Sequence, residues 1–438
     1  MKQVLTLIAL SASTALLGDC CKHLGNSCKR SEPCCEHCEP CCVPEPKLPI
    51  CCECYVPSFD DMECDWGLFV TADFLYWYAD ETDLSYAALT RTDLRTTPVI
   101  SGTGTVTPAL GGDSPFYSTI DKIKRFESRW KPGVRVGLGC KMDGGWDLYS
   151  NWTYYTSERS HSITVTPFSS FTPALGAKGI LNPWASAGLM PYPGEVLMFD
   201  SLSAKWNLVF NQIDLELGRR YWLSECFTLR PYAGLRAAWT HTTFEVKAHN
   251  DIDLGGLIAV DNITTALYKT DTKDHFRNRN WGVGLIGGLQ PTFFLTEEFS
   301  LYANAEMSLL WGQLNSHIHR DYTNTFTTEA GVGPTPLMDY HGGTSDNFSC
   351  MQPVMDLGIG LRWETCFCDN RYRFNLDAGW EHHVFFNYNR RVQLFLGHLF
   401  NDTFILASSP NGRADFTYQT VDSDLGMGGF VLRARFDF

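Results

Sequence analysis

The sequence predicts an all-β fold, a transmembrane antiparallel up-and-down β-barrel of about 10 to 14 strands behind an irregular cysteine- and proline-rich arm. Three observations carry this. The chain is 19% charged and 13% aromatic with a net charge of −14, yet has no apolar run of about 18 residues. That excludes a bundle of membrane helices, a disordered chain and a nucleic-acid binder. From Trp66 onward the apolar residues alternate with polar ones, the period of a strand with two different faces. Finally, the connections between alternating segments are short and long in strict turn.

Residues 1–18, MKQVLTLIALSASTALLG, read as a secretory signal peptide: Lys2, an apolar stretch from Val4 to Leu17, then small residues. The cleavage point stays open. Leu17-Gly18-Asp19-Cys20 resembles a lipoprotein processing site, but the acid before the cysteine fits it poorly, so lipidation at Cys20 is a minor alternative.

Residues 19–64 hold 12 of the 17 cysteines: Cys20, Cys21, Cys28, Cys34, Cys35, Cys38, Cys41, Cys42, Cys51, Cys52, Cys54 and Cys64. Glu-Pro-Cys-Cys occurs twice, at 32–35 and 39–42, and six prolines between Pro33 and Pro57 oppose regular structure. This is an extended arm, expected in the periplasm. Cys35, Cys38 and Cys41 have zinc-ligand spacing. Behind a signal peptide, however, cysteines meet an oxidising compartment, which favours disulfides over metal or reduced thiols. No metal or cofactor is expected.

Residues 65–438 form the expected barrel. The strongest strands are 126–139, with Phe126, Trp130, Val134, Val136 and Leu138 on a charge-free face; 299–312, with Phe299 to Trp311; 353–364, with Met355 to Trp363; and 372–386, with Tyr372 to Phe386. Weaker ones lie at 66–79, 146–156, 205–218, 228–246, 279–290 and 425–438, and an apparent change of phase near Gln212 suggests a bulge. Gaps near 140–145, 219–227, 291–298 and 365–371 are short. Those near 80–125, 157–204, 247–278, 313–352 and 387–424 are long, as periplasmic turns and external loops would be. Any long loop has room for a further hairpin. A soluble β-sandwich is the competing fold, but 11 of 13 tryptophans fall in these strands, several near their ends, as an interfacial girdle requires. The last strand, GGFVLRARFDF, ends on an aromatic and resembles the signal read by the bacterial outer-membrane assembly machinery.

Trp66–Trp77 (WGLFVTADFLYW), Ile213–Arg220 (IDLELGRR) and Leu229–Arg236 (LRPYAGLR) together resemble the Legionella-type pore-forming major outer membrane protein family, found also in Chlamydia-related bacteria. The resemblance spans most of 66–438 and implies an outer-membrane porin of a Gram-negative bacterium. The arm departs from that family and is similar instead to disulfide-bonded envelope proteins of the chlamydial lineage.

Loop parity puts Cys140, Cys226, Cys366 and Cys368 in short turns, on the side where the arm enters; Cys350 falls at an external loop. The expectation is disulfides among arm and turns and with neighbouring envelope proteins or a second copy, with wholly internal arm bridges as the alternative. The pore-lining candidates are Arg135, Arg230, Arg362, Arg373, Arg433 and Arg435, with Asp214, Glu216, Glu364 and Asp437 near them. Unpaired, such arginines would favour anions; paired, they would brace or close a narrow lumen, as a small barrel suggests. An enzyme is not expected: His382 and His383 point to opposite faces, His241 stands apart, and no HExxH, GxSxG or nucleotide loop is present. The functional expectation is a porin for small hydrophilic solutes that is also a disulfide-linked element of the envelope. The alternative is a non-conducting anchor or a surface adhesin using segments such as 101–114. Partners are membrane lipid and the assembly machinery, with no nucleic acid.

Overall fold

The computed structural model describes residues 67–94, 98–100, 106–108, 116–165, 178–184, 199–224, 226–253, 266–296, 298–328, 335–367, 372–396 and 416–438. The signal-peptide and arm readings, Cys368 and most of 101–114 lie outside them.

Ten strands form the wall: β1 (Gly67–Glu81), β2 (Trp130–Met142), β3 (Trp146–Thr164), β4 (Ser201–Arg219) and β5 (Phe227–Asp253). They continue as β6 (Ala266–Phe294), β7 (Phe299–Thr328), β8 (Thr335–Phe367), β9 (Tyr372–Leu396) and β10 (Phe416–Asp437). Each pairs antiparallel with its neighbour in sequence, and β10 returns to β1 from Phe69↔Asp437 to Glu81↔Leu425, so the sheet closes. Closure removes the unpaired edge that a sheet in lipid could not satisfy. A short strand, Tyr221–Ser224, adds to β5 at the short-turn end.

Alternation sets the faces. On β1, Val70, Phe74 and Tyr76 are exposed while Phe69, Asp73, Leu75 and Trp77 are buried. The outward faces of β7 and β8 expose Phe299, Leu301, Met307, Leu309 and Trp311, and Met355, Leu357, Ile359 and Leu361. These are the faces the sequence pattern assigns to lipid. Gly429 on β10 has φ +150°, and a Cβ there would strike the Tyr76 carbonyl and the Trp130 ring, so only glycine lets three strands approach at this point.

Four sequence expectations are corrected. First, β4 has no bulge: its even residues from Leu202 to Gly218 face inward without interruption, and its registers with β3 and β5 are continuous. What changes at Gln212 is the chemistry of the inner face, from Trp206, Leu208 and Phe210 to Gln212, Asp214 and Glu216. Second, much of the expected long loops is strand. β8 has 33 residues, about three times the span a tilted strand needs to cross a bilayer, so the wall continues well beyond the apolar band. Cys350 therefore lies within β8, opposite Gly312, rather than in a loop, and Cys366 lies in the last turn-ward residues of β8 opposite Arg373.

Third, the segment 80–125 does contain a hairpin, Ser85–Leu94 with Phe116–Arg125, but it adds no wall strand. With Lys178–Leu181 it makes a separate three-stranded sheet. Fourth, Phe126 belongs to no lipid face. It is buried and packs on Tyr86 and on the inward ring of Phe244, at 4.9 and 6.2 Å.

Candidate functional site: a charged vestibule beneath an aromatic closure

Inward-facing positions divide the lumen at about the level of Phe210. On the long-loop side the inner face is an apolar core: Trp77, Trp206, Leu208, Phe210, Phe244, Val246, Phe276, Ile318, Tyr322, Phe385, Tyr388, Leu425 and Met427. Phe210 of β4 and Phe385 of β9 stand five strands apart whichever way round the ring, yet their rings meet edge to face at 5.5 Å. Side chains from opposite walls thus close the middle of the barrel. A ten-stranded ring is narrow enough for this, since eight strands are already filled by side chains.

Above the closure the inserted segments are tied in. Trp184 lies against Phe244 and Phe276 at 5.5 and 5.1 Å, and its indole N–H donates to the Ser85 carbonyl at 2.7 Å. Asn182 donates to Asp274, which also takes Arg320 at 2.5 Å, and Arg320 reaches the Trp184 carbonyl. Glu81 is fully buried and accepts from Arg391, Asn389, Ser423 and the Trp206 indole. Burying a carboxylate is costly unless such a set of donors surrounds it.

Below the closure lies a cavity of about 560 Å³ that opens towards the short-turn end. Its lining carries Arg135, Lys141, Arg220, Arg230, Arg236, Arg362, Arg433 and Arg435 against Asp147, Asp214, Glu216, Glu306, Asp356, Asp377 and Glu381, so the two signs are nearly balanced. Arg236 is the hub. It is buried among Asp214 at 2.7 Å, Asp356 at 2.5 Å and Glu306, which come from β4, β8 and β7. Tyr232 donates to Glu306 at 2.7 Å, and His383 contacts the other oxygen of Asp356 at 2.7 Å. A second cluster straddles the seam: Arg135 bridges Asp73 at 3.1 Å and Glu381 at 2.8 Å, while Arg433 holds Asp73 at 2.9 Å.

All six arginine candidates have carboxylate partners. Besides Arg135 and Arg433, Arg230 pairs with Asp147 and Glu216, Arg362 with Asp377, and Arg373 and Arg435 with Asp437, which also takes Lys141. Glu364 is buried behind them. This is the braced arrangement and not a ring of bare guanidinium groups. Arg236, Asp73, Glu306, Asp356 and Glu381 were not singled out from sequence; the signal was there, in charged residues on the inward phase. His383 faces inward as expected, and His382 faces outward within 3.5 Å of the Tyr78 hydroxyl.

A family model described as the Legionella pneumophila major outer membrane protein precursor matches residues 61–438. The chain belongs to this family. Among solved structures, this major outer membrane protein family member is similar to the outer membrane protease OmpT from Escherichia coli, with TM-score 0.28 and 9% identity over 85% of this chain and 96% of that one. It is also similar to the toluene transporter TbuX of Ralstonia pickettii, with TM-score 0.21 and 9% identity over 84% and 89%. The P. putida toluene transporter TodX gives 0.22 and 7% over 85% and 90%. Identities this low bear on no activity. A comparison with curated proteins gives no match.

At the short-turn end of the family member's barrel, Cys140 and Cys226 are buried and disulfide-bonded. Cys350 is not in a disulfide.

At the opposite end, the β5–β6 extension carries an ionic clasp. His249 reaches Asp271 at 2.7 Å and Asp251 at 3.1 Å. Partial burial works against its charge, but the hydrogen bonds with Asp271 and Asp251 outweigh it and raise the imidazole pKa. A raised folded-state pKa means the clasp contributes fully below about pH 6.5, the unfolded value, and is lost as pH rises through the folded one. Protection factors of this hairpin, corrected for intrinsic exchange, should therefore fall as pH rises above about 6.5. His249→Gln should remove that dependence; an unchanged pH profile in the variant would exclude the clasp.

Proposed function

We propose that the chain is an outer-membrane porin that passes small hydrophilic solutes, with its short turns and N-terminal arm in the periplasm and its long connections outside. One observation carries the reading: a charge-lined vestibule of about 560 Å³ occupies the short-turn half of the lumen of a closed barrel and ends where the Phe210 and Phe385 rings meet at the edge of the apolar core. Salt-bridged walls hold the vestibule open against collapse, and nearly balanced charge fits weak ion preference. Apolar constrictions gate by excluding water, so a conducting path requires the Phe210–Phe385 pair and the apolar core beyond it to move aside.

The test is planar-bilayer recording of the refolded full chain. Small, intermittent conductance with a reversal potential near zero in a salt gradient is expected. The Phe210–Phe385 contact itself favours a second reading, a non-conducting anchor. A membrane that stays silent with wild type and with both rings truncated would establish that reading and end the porin one.

In the same reading the arm cysteines, with Cys140, Cys226, Cys366 and Cys368, lie in the periplasm, and those not bonded within the chain link the barrel to other envelope proteins or to further copies. Gels of purified envelopes should show high-mass species that collapse to monomer with reductant. A monomer without reductant would overturn this part.

A further inference from the structure

The outward face beyond the apolar band points to a lipid partner. On β6 the outward residues run Phe293, Leu289, Leu285, Val283 and Trp281, all apolar, and the next two outward positions are Arg279 and Arg277. Trp281 lies opposite Trp239 of β5, and Trp311 of β7 is one step away opposite Val283, so a tryptophan belt ends directly beneath the arginines. Such belts sit at headgroup level.

Both arginines are exposed, and neither side chain has an ion pair or hydrogen bond among the described residues. That is unlike the lumen, where every arginine candidate is paired, and the chain as a whole has 49 acids against 35 bases. Their cross-strand neighbours bring no counter-charge: Arg279 faces His241 and Asn315, and Arg277 faces Thr243 and His317. Carboxylates come only further out, where Glu245 is engaged by Lys247 and Lys273, and Asp321 by His341 and His319. Two guanidinium groups on alternate residues of one face repel each other unless an anion bridges them, and at this height the anions are lipid phosphates.

We infer that Arg277 and Arg279 bind the phosphate groups of a phosphorylated glycolipid in the external leaflet. This rests on the orientation given under the proposed function, but not on conduction. The headgroup would lie against the tryptophan belt with its phosphates forked between the two side chains, flanked by His241 and His317 as further donors.

The test uses the refolded full chain in detergent with diphosphoryl lipid A as probe, read by native mass spectrometry. Wild type should retain the lipid, and the Arg277→Gln/Arg279→Gln double variant should bind at least about tenfold more weakly. The Arg277→Lys/Arg279→Lys variant should bind in between. Inorganic phosphate at equal phosphate concentration should not compete. Equal binding by wild type and the glutamine variant, or full competition by inorganic phosphate, would overturn the assignment. Orientation is checked separately: in intact cells Arg279→Cys should react with a membrane-impermeant thiol reagent, and failure to react overturns the inference. Silence in bilayers with lipid binding intact would count against the porin alone.

Discussion

Arg236→Leu is expected to be the most damaging single substitution in the barrel, lowering its stability by about 3–5 kcal/mol. The side chain is 3% exposed and holds Asp214, Glu306 and Asp356, themselves 5–6% exposed. Removing the guanidinium leaves three buried acidic side chains crowded together, with only His383 still beside Asp356. Their mutual repulsion then adds to the desolvation cost. Urea unfolding of the refolded barrel, followed by tryptophan fluorescence, should show the loss as a lower midpoint. Adding Asp214→Asn, Glu306→Gln and Asp356→Asn should recover much of it, because neutral partners need no counter-ion. A single variant as stable as wild type would mean the hub is solvated and contributes little.

The second large effect is on conduction. Truncating both rings, Phe210→Ala with Phe385→Ala, should raise single-channel conductance by at least about twofold, since the narrowest, driest point limits the current. Each truncation also leaves a cavity in the apolar core and costs about 3–5 kcal/mol, so only properly folded barrels, judged by heat-resistant gel migration, should be recorded. Phe385→Ala alone should give an intermediate current. Unchanged conductance in the double variant would show that the limiting constriction lies elsewhere, among the inserted segments around Trp184 and Tyr86.

The barrel was legible where lipid writes one face of the strand. Outward Leu285, Met307, Leu309 and Ile359 sit in a solvent of hydrocarbon, so alternation in β6, β7 and β8 is strong and the ten wall strands could be counted. Beyond the bilayer that pressure ends. At Lys269–Asp274 both faces are polar or charged, and a strand there has the composition of a loop. Gln212 misled for the opposite reason: an inner face that turns from aromatic to charged mimics a change of phase. The inward arginines were visible, but their partners were not. Arg135 and Glu381 are 246 residues apart and meet only because the ring brings β2 within reach of β9. Trp184 gave no signal, since three residues of Asn-Pro-Trp have no period to read.

The seam between β1 and β10 joins the two ends of the barrel sequence. Asp73 is 2% exposed and is held from both sides of that seam, by Arg433 of the last strand and by Arg135 of the second. While the last strand is still being threaded, half of that grip is missing and the inward Asp73 carboxylate lacks one of its two guanidinium partners. A partly zipped barrel therefore leaves a buried charge half paired, which favours completing the seam. Once made, the same contact works as a latch: parting the first and last strands would uncover Asp73.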